Sequence, residues 1–135
     1  SEYTAAIQKR DIDKMNSLHS QDFVRDFVAG DAFLDTPSQN QEVIEFWTAW
    51  FHAFQDMDYE ITRTIAADSV AVIEWIFTGT HTGLLDPIVF QREINCTGRT
   101  IRLRGISVYE IVDCLIEKET LYIDMATLWV ELGAV

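Results

Sequence analysis

Cysteine, proline, glycine and positive charge are all scarce in this chain. Two cysteines stand among 135 residues, Cys96 and Cys114. They lack the spacing of a zinc site, so two free thiols in a reducing, cytoplasmic setting are the expectation. Two prolines and six glycines leave no linker-like stretch, and no internal repeat breaks the run. A single domain over residues 1–135 follows. Ten Lys and Arg face 22 Asp and Glu, for a net charge of −12. That deficit of cations argues against nucleic acid, whose phosphates need them, and against an anionic membrane surface. No apolar run approaches the roughly 18 residues of a membrane span, and no secretory leader is visible. A glycine-rich phosphate loop, a nucleophile elbow and zinc spacing are all missing, so no cofactor and no metal are expected.

Apolar and aromatic residues are plentiful, at 48% and 12% of the chain, enough for a real core. The chain is organised around Val70 to Gly83, VAVIEWIFTGTHTG. With a period of two, Ala71, Ile73, Trp75, Phe77, Gly79 and His81 share one strand face. His81 therefore ends an aromatic wall, either as a satisfied core histidine or as a polar group at the mouth of a pocket.

Around it the periods are readable. Glu2 to Arg10 and Asp11 to Ser20 read as short helices, Asp11 being a reasonable N-cap. Gln21 to Ala29 fits a strand or a helix end equally well. Gly30 to Ser38 is rich in turn residues. Ser38 to Phe54 is the strongest helix, with Val43, Phe46, Trp47, Trp50, Phe51 and Phe54 at spacings of three and four. From Met57 the period changes to two. Tyr59, Ile61 and Ile65 occupy one face of a strand that turns at Ala67-Asp68-Ser69 into the Val70 strand, a hairpin. Leu84 to Thr97 is irregular. Thr100 to Val112 and Leu115 to Asp124 are further strands about an Asp113-Cys114 reversal. Met125 to Leu132 closes as a helix, with Gly133 as its cap. Helices followed by long antiparallel strands predict an α+β fold, a strongly curved sheet with the helices packed across one face. Such a sheet leaves a cone-shaped cavity walled by Val70–Gly83, Arg102–Glu110 and Tyr122–Asp124.

Three polar groups sit on these strands: His81, Arg104 and Asp124. Asp124 precedes a helix and makes a good N-cap. In an apolar cavity its carboxyl would instead be raised toward the range of general acid–base work. Arg104 has surface partners in reach, Glu74 or Glu110.

The stretches FHAFQDMDYEIT, VAVIEWIFTGTHTG, TGRTIRLRGISVYEI and YIDMATLWVELG, in that order, resemble the SnoaL-type polyketide cyclases of the nuclear-transport-factor-2-like superfamily. RDIDKMNSLHSQDF resembles the opening helix of such domains. The resemblance implies a cone-shaped α+β barrel, frequent homodimers or larger homo-oligomers, and cofactor-free ring closure by intramolecular aldol condensation. It maps the catalytic aspartate to Asp124 and the GTHTG histidine to His81. Asp124 would take a proton from carbon between two carbonyls and return it to the new alkoxide. His81 would hold a substrate oxygen and Arg104 would stabilise the enolate. Trp50, Trp75, Phe77 and Tyr122 would wall a hydrophobic, polyketide-like substrate. Two departures stand out. LLDPIVFQREINC is longer than the family's proline-rich link, and Asp113-Cys114 replaces its Asp-Gly turn. Two rivals are a non-catalytic module in which Asp124 only caps a helix, and a hydrolase or dehydratase with Glu74 as second acid.

Overall fold

The computed structural model describes residues 1–28, 37–86 and 93–134. The parts of the Gly30–Ser38 loop and of the Leu84–Cys96 link that fall between these ranges lie outside the described residues. Two short helices, α1 (Glu2–Gln8) and α2 (Ile12–Ser17), open the chain. Strands β1 (His19–Val28) and β2 (Ser38–Gln39) precede the long helix α3 (Asn40–Ala53). Strands β3 (Asp56–Ala67), β4 (Val70–Thr80), β5 (Thr100–Val112) and β6 (Leu115–Ile123) lead to a last helix, α4 (Met125–Glu131). The strands form one curved, unclosed sheet in the order β2-β1-β6-β5-β4-β3. Among the described residues only the β1–β6 pair is parallel.

Asp11 caps α2, accepting a hydrogen bond from the Lys14 N–H at 3.1 Å. That helix ends at Ser17, so His19 and Ser20 belong to β1 rather than to a helix. The ambiguous Gln21–Ala29 stretch resolves as this strand because β6 supplies it with a parallel partner, which local sequence does not reveal. Helix α3 starts at Asn40, two residues after the expected start at Ser38. Ser38 and Gln39 first pair with β1, and Glu42 then accepts the Gln39 N–H at 3.2 Å.

The expected α3 stripe is buried, from Val43 through Phe54, against the inner face of the sheet. That face carries Ile73, Trp75 and Phe77 from β4, with Ile101, Leu103, Ser107 and Tyr109 from β5. Gly105 is required there: a Cβ would meet Trp75 Cζ2 at 2.4 Å, so only glycine lets the indole lie across β5. Ile65 departs from the simple alternation. The β3–β4 register shifts between Ile61 and Arg63, and this bulge turns Ile65 to the outer face, where it is 45% exposed.

The β5–β6 reversal places both Asp113 and Cys114 at positive φ, 51° and 65°. Tight hairpins of this kind favour glycine at the second position, and a residue with a Cβ costs about 1 kcal/mol there. Cys114 is exposed and free. Cys114→Gly is therefore expected to stabilise the fold by about 1 kcal/mol, read as a higher urea midpoint at unchanged m-value. A lower midpoint would show that the thiol makes a compensating contact.

Candidate functional site

Helix α3 and the inner sheet face enclose a small cavity of about 30 Å³. Phe46, Trp47 and Trp50 of α3 form one side, Trp75 and Phe77 of β4 another, and Leu121 and Ile123 of β6 a third. The rings pack on one another: Trp50 lies 5.0 Å from Phe77 and 4.6 Å from Phe54 between centroids. Three of the aromatic residues singled out in the sequence, Trp50, Trp75 and Phe77, thus line one apolar space. Ser107 and Glu119 are its polar members, beside Tyr59. The Trp75 indole N–H donates to Ser107 Oγ at 3.0 Å.

Strand register explains how a carboxyl comes to this wall. Glu119 pairs with Arg25 on β1 and with Tyr109 on β5. Arg25, Glu119 and Tyr109 therefore form one inward row across three strands. Neighbouring Cβ atoms in such a row stand about 5 Å apart. The next inward row is Phe27, Leu121, Ser107 and Ile73. All three members of the polar row are buried, Glu119 at 1% exposure and Arg25 at 2%. The Arg25 guanidinium carbon sits 4.1 Å above the Phe46 ring centroid, a cation–π contact in a water-poor setting.

Burial dominates the electrostatics of this row. It pushes the Glu119 pKa up, against the opposing pull of Arg25 and of the Ser107 and Tyr109 hydroxyls. It lowers that of Arg25, which Glu119 partly restores. The phenols of Tyr109, Tyr3 and Tyr59 are pushed up by burial first and by Glu119 second.

Behind the row, Tyr3 of α1 packs edge-on against Tyr109, 5.4 Å between centroids. Its hydroxyl lies 2.8 Å from His19 Nε2. Asn40 fixes the tautomer. Its Nδ2 donates to the Ser20 carbonyl at 3.1 Å, so its Oδ1 faces His19 Nδ1, also at 3.1 Å. Nδ1 then carries the proton, and Nε2 accepts from the tyrosine. Burial lowers the His19 pKa to about 4.

The remaining residues named from sequence lie elsewhere. Asp124 is exposed and caps α4, accepting from the Thr127 N–H at 3.1 Å and from Thr127 Oγ1 at 2.6 Å. These bonds hold its pKa below the usual carboxylate value. Arg104 and Tyr122 are exposed on the outer sheet face, and Ser107, Leu121 and Ile123 supply the walls there. Glu74 pairs with Arg63 at 2.8 Å, not with Arg104.

His81 is fully buried but is not among the cavity walls. Its Nδ1 accepts the Thr97 N–H at 3.2 Å and lies 3.0 Å from Thr97 Oγ1. Its ring packs 5.6 Å from Phe54. It fastens the segment before β5 to the end of β4. Burial lowers its pKa.

The polar row escaped the sequence reading because β1 was unassigned. The available signal was a charge placed within an apolar alternation: Phe23-Arg25-Phe27 on β1, and Glu119-Leu121-Ile123 on β6. Among the described residues no cluster of His, Cys, Asp and Glu is arranged to hold a metal. No described helix is long and apolar enough to cross a membrane.

The fold has many solved counterparts. AclR of Streptomyces galilaeus, a candidate hydroxylase, superposes with a TM-score of 0.83 at 20% identity, over 99% of this chain and 78% of that one. IdmH of Streptomyces antibioticus, a candidate polyketide cyclase, gives 0.77 at 20% identity, over 98% and 94%. A candidate SnoaL-like polyketide cyclase from Jannaschia sp. CCS1 gives 0.79 at 12% identity, over 99% and 86%. At such identities these likenesses show the fold alone. No curated protein matches the chain. The SnoaL-like domain model matches residues 1–119, from α1 through the row of Arg25, Tyr109 and Glu119, and by that match the chain belongs to the SnoaL-like domain family.

Proposed function

We propose that the protein is a cofactor-independent enzyme of the polyketide-cyclase type. It takes a proton from carbon next to a carbonyl, so that the enolate attacks a second carbonyl, and it returns the proton to the new alkoxide. The observation that supports this reading is the apolar, aromatic cavity with a buried carboxyl, Glu119, on its wall.

Glu119 is the acid–base group in this reading. A carboxyl with a raised pKa is the stronger base once ionised, and it passes a proton near neutral pH more readily than an exposed one. Asp124, assigned that role by resemblance, spends both oxygens on the α4 cap and is held at lowered pKa. That makes it a weak base. The void of about 30 Å³ receives a reacting head group. Entry of a whole carbonyl compound requires the surrounding aromatic side chains to rotate outward.

Proton abstraction can be followed without knowing the natural product. Exchange of the acidic C–H of small 1,3-dicarbonyl compounds for deuterium, followed by NMR, should be catalysed by the wild-type protein. Glu119→Gln should slow it by about a hundredfold, and Asp124→Asn should leave it within a few-fold. The reverse pattern would return the role to Asp124. An absence of catalysed exchange across a panel of such compounds would remove the cyclase reading in favour of a binding module.

A further inference from the structure

We propose that Trp47 is the carbonyl-binding residue of the cavity, its indole N–H donating to the oxygen of an uncharged, ketone-type ligand with a flat apolar body. The inference rests on the reading above, in that it takes the cavity to be a substrate site, and it adds the group that orients the substrate.

Its basis is a buried donor with no acceptor. Buried polar groups are paired in roughly nine cases out of ten, and a buried tryptophan N–H usually finds a partner. Trp47 is 8% exposed, and its Nε1 is buried without a hydrogen-bond partner among the described residues. Trp75, which lines the same cavity, shows the usual case: its Nε1 donates to Ser107 Oγ at 3.0 Å. The Trp47 ring packs against Phe46 and Phe51, each at 5.3 Å between centroids, and neither of those side chains carries an oxygen or nitrogen. The cavity that Trp47 lines is the space from which an acceptor can reach it.

The lining also limits the charge of the ligand. An indole nitrogen is a donor only, so the ligand must bring the acceptor. The described lining holds a carboxyl, Glu119, and no cationic side chain. An anion would enter without a cation to meet it, which makes its burial costly. An uncharged carbonyl oxygen satisfies both conditions, and the aromatic rings of the lining suit a flat apolar body behind it.

In the proposed reaction the same hydrogen bond gains a second role. When the C–H bond next to the carbonyl breaks, its proton goes to Glu119. Its electron pair becomes the new C=C bond, and the negative charge moves onto the carbonyl oxygen. Trp47 donates to that oxygen, and a donor already in place in a water-poor site stabilises the developing charge more than the neutral carbonyl. The cavity holds one negative charge throughout, first on Glu119 and then on the enolate, so no cation has to enter with the substrate.

Acetophenone, α-methylstyrene and benzoate test the assignment on the whole protein. The three are flat, of nearly one size and share the phenyl ring. They differ in carrying a ketone, a C=CH2 group and a carboxylate. The Trp47 indole N–H signal, assigned by its loss in Trp47→Phe, should move downfield in NMR spectra with acetophenone. With α-methylstyrene it should move less, because the shared ring brings a similar ring-current effect without an acceptor. Trp47→Phe keeps an aromatic ring and removes the donor. It should lower the preference for acetophenone over α-methylstyrene by about fivefold or more, a ratio in which the different hydration of the two ligands cancels. Benzoate should compete at least about tenfold more weakly than acetophenone.

A Trp47 signal that responds equally to both uncharged ligands, or a preference unchanged in Trp47→Phe, would overturn the proposal. So would benzoate binding as tightly as acetophenone, or failure of acetophenone to bind. Should Trp47→Phe fail to fold, the signal is assigned through the Trp47 backbone and the wild-type titrations decide alone. Ketone binding at Trp47 without deuterium exchange of the 1,3-dicarbonyl compounds would sink the enzymatic reading and leave the assignment standing. Catalysed exchange with no ketone response at Trp47 would do the reverse.

Discussion

Glu119→Leu should destabilise the protein by about 3 kcal/mol or more, while the double variant Arg25→Met/Glu119→Leu should recover most of that loss. The two groups face one another across β1 and β6, each buried and each moving the other's pKa. Taking either charge out of water is costly, and their mutual attraction offsets part of that cost. Removing the carboxylate alone leaves a guanidinium at 2% exposure with no anion beside it. Replacing both with apolar side chains of similar volume removes the cost at its source. Urea unfolding of the wild type, both single variants and the double variant gives the cycle. A coupling near zero, with the double variant as weak as the sum of the singles, would mean that the two charges act independently. A double variant at or above wild-type stability that has also lost deuterium exchange would show that the row is kept for chemistry and not for folding.

What could be read from sequence divides along one physical line. Local periodicity was sufficient for α3 and for β3 to β6, because each buries one face against a single layer and so carries its own signature. Trp50, Trp75 and Phe77 were found for the same reason. Strand β1 was not legible. Its ten residues alternate poorly, its partner β6 lies far away in sequence, and parallel pairing leaves no hairpin signal. With β1 unplaced, Arg25 had no assigned face, and Glu119 looked like one more charge in an acidic strand. Arg104 and Tyr122 were placed on a cavity wall although the alternation of their own strands puts them opposite Leu103 and Leu121. For Asp124 both readings were open, and its bonds to Thr127 are those of a cap. Within a strand or helix, pattern tells inside from outside. Which inside residues meet depends on register between distant strands.

Acid should weaken the fold well before the bulk of its carboxylates are protonated, and His19 is the main cause. Its ring stacks on Phe23 at 3.7 Å between centroids, bonds Tyr3 and Asn40, and is 8% exposed. Burial, and secondarily Arg25, lower its pKa from 6.5 to about 4, against the raising effect of Asn40. The unfolded chain takes up a proton near the ordinary value of about 6.5, which the folded chain refuses until about 4. Stability from neutral His19 is thus complete above about 6.5, drains as pH falls, and is exhausted below about 4, a loss on the order of 3 kcal/mol. Buried His81, with its pKa also lowered, adds a loss of the same sign. Glu119 opposes both, because a raised folded pKa makes the folded chain the better proton binder as pH falls. Urea midpoints measured from pH 7.5 to 5 isolate the histidines, since few exposed carboxylates titrate there. The wild type should lose stability steadily below about pH 6.5. His19→Gln removes the titrating ring while keeping a side-chain acceptor for Tyr3, and should flatten most of that slope at some cost in stability at pH 7.5. An unchanged slope in His19→Gln would assign the acid sensitivity to His81 and the segment that it fastens.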